Sequence, residues 1–271
     1  MNFFSAVLLG ILQGLTEFLP VSSSGHLVLA QHFFGVETGG DILFEVFLHL
    51  GTLLAVMIFF RKKLWSLLVS LLNWKNTLRH QAHRHNRTLV LYLIVASIVT
   101  ASMYLIFGDV FESLYGKPLV VAFMLILTGS IIFFSDKVRS GGVPASQMGL
   151  IRGIIIGFVQ GLAIIPGISR SGSTISAALF SGVKRRDAAE FSFLLSIPAI
   201  LGANLVSLVK FQELGASQLG VYLGGFLAAF IAGYLVIAIL IRLIVNARLK
   251  YFSFYCWALA LSSIILILGG K

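Results

Sequence analysis

The chain has 271 residues, of which 58% are hydrophobic and 11% charged, with a formal net charge of +10. A soluble domain carries roughly 25% charged residues, so the composition excludes a soluble globule and reads as a polytopic membrane protein. In such a chain a basic excess reports loop topology, not nucleic-acid binding, and the lone Cys256 excludes an intrachain disulfide or a cysteine metal cluster.

In chain order, the N-terminus shows neither a basic leader region nor a small-residue cleavage site and is read as part of the mature fold. Residues 3–36 hold two apolar runs too short to cross a bilayer, broken at Pro20-Val21-Ser22. Full spans are predicted at roughly 42–60, 88–107 and 118–135. Between the first two lies the basic stretch 61–87, read as a solvated loop; His80, His83 and His85 within it have a spacing that could bind a metal. Residues 149–183 repeat the pattern of two short runs, broken at Pro166-Gly167-Ile168-Ser169, and spans follow at 188–209, 217–241 and 251–269. A half-length helix, a polar break and a second half-length helix predict a re-entrant hairpin, tolerated where it is buried in protein or lines a wet cavity. Trp65, Trp74 and Trp257 read as interface anchors.

Four basic clusters, at 61–87, 136–152, 184–186 and 242–250, hold 16 of the 20 Lys and Arg. They fall on one face if the six spans alternate and the hairpins do not cross, and the positive-inside rule makes that face cytoplasmic. Both termini, and the loops near Asp109 to Lys117 and Lys210 to Ser217, are then outside.

The first hairpin recurs at an offset of 147 residues. Gly10, Gln13, Gly14, Ser22, Ser24 and Gly25 return as Gly157, Gln160, Gly161, Ser169, Ser171 and Gly172, while Ser23 is replaced by Arg170. Each copy holds one hairpin and three spans; three is odd, so the second copy is inverted. The predicted fold is an all-α polytopic membrane protein, with six transmembrane helices plus two re-entrant helical hairpins in an inverted-topology repeat. It forms one membrane domain, with repeat 1 at about 1–136 and repeat 2 at about 148–271, and the hairpin tips meet near the midplane.

Each tip opens a half-helix with hydroxyls, which are natural N-caps, and a helix N-terminus suits a phosphate. Plain capping would account for Ser22, Ser23 and Ser24, and an interhelix hydrogen bond for Gln13. Glu17 and His26 are harder to explain structurally, because ionisable groups in a membrane are costly and mark functional paths. Arg170 is the single charged residue between Gly153 and Val183. Its guanidinium matches phosphate geometry, and an ion pair with Glu17 would also account for it. Together these groups suit phosphoryl transfer. Ser23 attacking with His26 as base, or His26 attacking directly, both fit. Glu17 with Gln13 could hold a divalent cation bridging a pyrophosphate.

Two signatures resemble the bacterial undecaprenyl pyrophosphate phosphatases, the bacitracin-resistance family: Gln13 through His26, and Pro166 through Thr174. The resemblance implies hydrolysis of undecaprenyl pyrophosphate at an outward-facing site of the bacterial inner membrane, recycling the cell-wall lipid carrier. It implies catalytic roles for Glu17, Ser23, His26 and Arg170. Phosphate contacts fall to Ser22, Ser24, Ser169, Ser171, Ser173 and Thr174, and a divalent cation, Mg²⁺ or Ca²⁺, to Glu17 and Gln13. Gln at position 13 leaves one carboxylate fewer than a two-carboxylate metal site. Glu45, at the outer start of a span, either assists the site or is an interfacial carboxylate. The implied partners are a polyprenyl pyrophosphate lipid and the bilayer, with no nucleic acid; a homodimer is compatible with this. A second class of membrane lipid phosphatases carries a Ser-Arg motif followed by His, and Ser176 stands here at that position. The inverted repeat also admits another reading, a polyprenyl-phosphate flippase or transporter.

Overall fold

The computed structural model describes residues 2–34, 42–72, 81–138, 142–209 and 218–270. Among these residues the chain is all helical. The first group of helices is α1 (Phe3–Phe18), α2 (Ser23–Phe34), α3 (Ile42–Phe59), α4 (Arg61–Leu72), α5 (Gln81–Glu112) and α6 (Pro118–Lys137). After a short 3₁₀ turn at Ala145–Gln147 come α7 (Leu150–Leu162), α8 (Arg170–Phe180), α9 (Arg185–Val209), α10 (Leu219–Val245) and α11 (Lys250–Leu268). Five helices, α5, α6, α9, α10 and α11, are long and apolar enough to cross a membrane. The pair α3 and α4, bent by 74°, counts as a sixth if taken as one span. Large apolar side chains such as Leu105, Ile239 and Ile265 are exposed along these helices, as expected of a multi-pass protein whose outer surface meets lipid tails.

The stretch 61–87 is not a solvated loop where it is described. Residues 61–72 form α4, and residues 81–87 are the first turns of α5. Polar side chains hold the two together. The Ser70 hydroxyl lies 2.8 Å from His83 Nδ1 and accepts from Asn86 Nδ2 at 3.0 Å, while Arg87 Nε donates to the Ser70 carbonyl at 2.7 Å. His85 lies 3.2 Å from Gln147. Two of the three histidines are thus engaged in helix packing, and no group of three or more His, Cys, Asp or Glu able to hold a metal occurs among the described residues. His80, Trp74, Arg139 and the loop from Lys210 to Ser217 lie outside the described residues.

Helices at equivalent places in the two halves exchange partners. The first helix, α1, packs mainly on α10, and its counterpart α7 packs mainly on α5. Both contacts are close because small residues line them. A Cβ at Gly14 would lie 2.6 Å from the Ala229 carbonyl oxygen and 2.7 Å from the Ala232 Cβ; at Gly157 it would lie 2.5 Å from the Ala96 carbonyl oxygen. Gly14→Val should therefore force α1 off α10, costing about 1–3 kcal/mol and lowering the Tm in detergent. Gly220→Ala, with open space around it, should leave Tm unchanged; equal melting of the two variants would contradict the packing argument.

A buried clamp sets the basic ends of three helices. Arg185 donates to Asp136 Oδ1 at 3.2 Å and to the carbonyls of Asp136 and Val138 at 2.8 and 2.9 Å. Asp136 Oδ2 in turn accepts from the Lys250 N–H at 3.2 Å. The end of α6 is so tied to the starts of α9 and α11, which fixes where α11 runs past the hairpin tips.

Candidate active site

Each tip is built by a serine that ends one chain direction and caps the next helix. Ser22 precedes α2 with φ of 69°, a left-handed backbone that a non-glycine residue adopts only when its surroundings hold it there. Its hydroxyl accepts from the Gly25 N–H at 3.2 Å and lies 3.3 Å from the Ser24 hydroxyl. Ser169 caps α8 in the same way, accepting from the Gly172 N–H at 3.1 Å and lying 3.2 Å from Ser171. The capping geometry thus recurs at the 147-residue offset. Among the described residues the first-turn N–H groups of Ser23, Ser24, Arg170 and Ser171 have no backbone acceptor, which leaves two sets of donors suited to an anion.

The two tips interlock. A Cβ on Gly25 would sit 3.2 Å from the Gly167 Cα, and one on Gly172 would sit 3.2 Å from Pro20. Gly167 itself has φ of 93° and lies against the Val121 carbonyl, so only glycine fits there. The Ser171 hydroxyl donates to the Leu19 carbonyl at 3.1 Å. Thr128 on α6 supports the second tip, donating to the Gly167 carbonyl at 2.9 Å and accepting from the Ser169 N–H at 3.1 Å.

At the junction lies Glu17, buried at the end of α1. Its Oε1 pairs with Arg170 Nη2 at 2.5 Å. Its Oε2 accepts from Ser23 Oγ at 2.8 Å and from Gln13 Nε2 at 2.8 Å. Ser23 and Arg170 occupy the same position in the two copies, and both converge on this one carboxylate. Buried ion pairs are costly to separate, because removing one partner strands the other charge. Phosphate oxygens can take the place of a carboxylate on a guanidinium, so an anion could exchange with Glu17 for Arg170.

The other residues expected at the site divide into two groups. Ser22, Ser169 and Ser171 are spent on capping and on joining the tips. Thr174 donates to the Arg170 carbonyl at 2.8 Å and lies 2.6 Å from the Ser192 hydroxyl, so it braces α8 against α9. The Ser173 hydroxyl and the Gln13 Oε1 are among the polar atoms buried without a partner in the described residues, as is the Oε1 of Gln160, the counterpart of Gln13. His26 does not bond Ser23. Its Nδ1 lies 2.8 Å from the Ser22 carbonyl and its Nε2 lies 2.6 Å from the Tyr255 hydroxyl.

Three neighbours escaped the sequence reading. Tyr255 comes from α11, 229 residues beyond His26, where no local pattern could link them. His49 on α3 lies within electrostatic reach of Glu17. Tyr115, between α5 and α6, is exposed, and its hydroxyl shares a hydrogen bond with Ser24 and lies 3.5 Å from the Ile164 carbonyl of the second tip. The Glu45 carboxylate lies within electrostatic reach of the Tyr115 hydroxyl.

The model of the bacitracin resistance protein BacA family matches residues 6–262. An undecaprenyl-diphosphatase of Syntrophotalea carbinolica is 42% identical over 257 residues, covering 95% of this chain and 96% of the relative. One from Desulforapulum autotrophicum is 42% identical over 275 residues, with 98% of each chain covered. One from Desulfosudis oleivorans is 45% identical over 260 residues, covering 93% and 94%.

Proposed function

Since the chain belongs to the bacitracin resistance protein BacA family, we propose that it hydrolyses undecaprenyl pyrophosphate to undecaprenyl phosphate and inorganic phosphate. The observation that carries this reading is the convergence of Ser23 and Arg170, one from each tip, on Glu17. Nucleophile, proton acceptor and phosphate clamp are thereby within one hydrogen bond of each other.

In this reading the pyrophosphate enters between the tips and takes Arg170 from Glu17. The guanidinium and the unpaired N–H groups of both tips hold the oxygens of the terminal phosphoryl group, where charge is spread in the transition state. Ser23 Oγ attacks that phosphorus while Glu17 Oε2 takes its proton. The bond to the bridging oxygen breaks and undecaprenyl phosphate departs. Water then attacks the phosphoserine, giving its proton to His26 Nε2; as the P–Oγ bond breaks Glu17 returns its proton to Ser23 Oγ, and inorganic phosphate leaves. A divalent cation, Mg²⁺ or Ca²⁺, fits beside Glu17 and Gln13, because the buried Gln13 Oε1 has no partner and oxygen donors suit hard cations. Bound there, it would neutralise charge on the pyrophosphate.

The arrangement we assign is six spans, with α3–α4 as the bent one, and the hairpins α1–α2 and α7–α8 as an inverted pair. The exchange of partners between α1–α10 and α7–α5 supports repeat bounds of about 1–136 and 148–271. The basic ends near Arg185, Arg242 and Lys250 lie in the cytoplasm. Both termini and the turn that holds Tyr115 lie outside, in a bacterial inner membrane. Recycling the carrier there would confer bacitracin resistance, because it lowers the amount of exposed pyrophosphate lipid. The test uses sealed right-side-out vesicles given undecaprenyl pyrophosphate. Phosphate should appear outside, fall on chelation with EDTA and return with Mg²⁺ or Ca²⁺. Release into the lumen would overturn the orientation, and head-group movement without phosphate release would favour the flippase reading.

A further inference from the structure

We propose that Tyr255 is a positioning residue for His26, holding the lone pair of its Nε2 in the direction used during hydrolysis. This rests on the phosphatase reading above and deepens it. A carbonyl oxygen only accepts, so at the 2.8 Å contact with the Ser22 carbonyl it is His26 Nδ1 that carries the hydrogen. A neutral imidazole then has its lone pair on Nε2, and the Tyr255 hydroxyl, 2.6 Å away, donates to it. These are the two hydrogen bonds of His26 among the described residues. The ring cannot turn over without losing both.

Contacts beyond the hydrogen bond set the same orientation. The two rings lie parallel, 3° apart in plane with centroids 5.6 Å apart. The residue after Tyr255 anchors α11 at the tip, since the buried Cys256 Sγ donates to the Pro20 carbonyl at 3.7 Å. The Arg185–Asp136 clamp fixes the start of the same helix. Tyr255 thus reaches His26 from an element anchored at two points, while its own ring is half exposed on the outer surface. A surface tyrosine with no catalytic duty would turn its hydroxyl toward the interface; this one turns it inward onto the only free lone pair of the histidine. When water replaces the Tyr255 hydroxyl at Nε2, it meets a base already in the required tautomer and direction.

The test is a double-mutant cycle on the full chain in detergent. Tyr255→Phe keeps the ring and removes only the donor. It should lower kcat about tenfold, with KM and Tm unchanged. His26→Ala should lower kcat further, and adding Tyr255→Phe to His26→Ala should cost nothing more. Full kcat in Tyr255→Phe, or an undiminished loss when it is added to His26→Ala, would overturn the proposal. If His26→Ala itself turns over normally, the role of His26 in hydrolysis fails instead, so the two failures are distinguishable.

Discussion

Arg170→Ala should lower kcat/KM for undecaprenyl pyrophosphate by about 10³- to 10⁵-fold, the range over which a transition-state arginine acts in phosphoryl transfer. Two physical effects meet in this residue. In the transition state the guanidinium neutralises charge on the terminal phosphoryl oxygens in a site shielded from water, where such neutralisation is strongest. In the resting protein it pairs with Glu17 at 2.5 Å, with only 17% and 6% of the two side chains exposed. Removing it strands a buried carboxylate, at about 3–5 kcal/mol of stability. A second variant separates the two effects. Arg170→Ala combined with Glu17→Gln removes both charges and should recover most of the lost Tm, yet remain inactive. Arg170→Lys keeps the charge and loses the planar fork, and should retain only a small part of the rate. Wild-type turnover in Arg170→Ala, measured as phosphate release, would remove the clamp from the mechanism.

Ser23→Ala should be as damaging to kcat and far gentler to the fold. Among the described residues its hydroxyl makes one hydrogen bond, to Glu17 Oε2, and Glu17 keeps Arg170 and Gln13 as partners without it. Stability should therefore change by no more than about 1 kcal/mol. Loss of an attacking group costs at least about 10³-fold in kcat, whereas KM should hold, because Arg170 and the first-turn N–H groups still bind the pyrophosphate. Ser24→Ala is the comparison. It lies one residue along, bonds Ser22 and Tyr115, and should cost much less. A Ser23→Ala protein with undiminished kcat would return the attack to His26.

Much of this site is readable in the chain, because its grammar is local. Proline followed by serine, with glycine three residues after the serine, writes a helix stop and a capped restart, and both Ser22 and Ser169 cap in that way. The pairing of Glu17 with Arg170 spans 153 residues, yet it is legible for a different reason: two opposite charges in an apolar chain have few other places to go. What the sequence conceals is direction. Ser23 and His26 are one helical turn apart, which suggests that they bond; in the structure Ser23 turns back to Glu17 while His26 turns to α11. The local signal of a shared helix face was real, but tertiary partners on either side outweighed it.

Helix α4 was hidden differently. Leu64, Leu67, Leu68 and Leu71 carry the i, i+3, i+4, i+7 spacing of an amphipathic helix, but Arg61, Lys62 and Lys63 at its head read as a loop. Its exposed Trp65, Leu68 and Leu71 suit the lipid-facing side of a bent span. Tyr255 and Tyr115 carried no signal at all, since one aromatic among many in apolar segments cannot be matched to a partner by spacing.

The most direct measurement is to trap the covalent intermediate. Protein mixed with undecaprenyl pyrophosphate labelled in its terminal phosphate, and quenched in acid within one turnover, should carry acid-stable label on Ser23. The label should be absent from Ser23→Ala. Acid-labile label at His26, or normal phosphate release by Ser23→Ala, would contradict the convergence of Ser23, Glu17 and Arg170 as the machinery of hydrolysis.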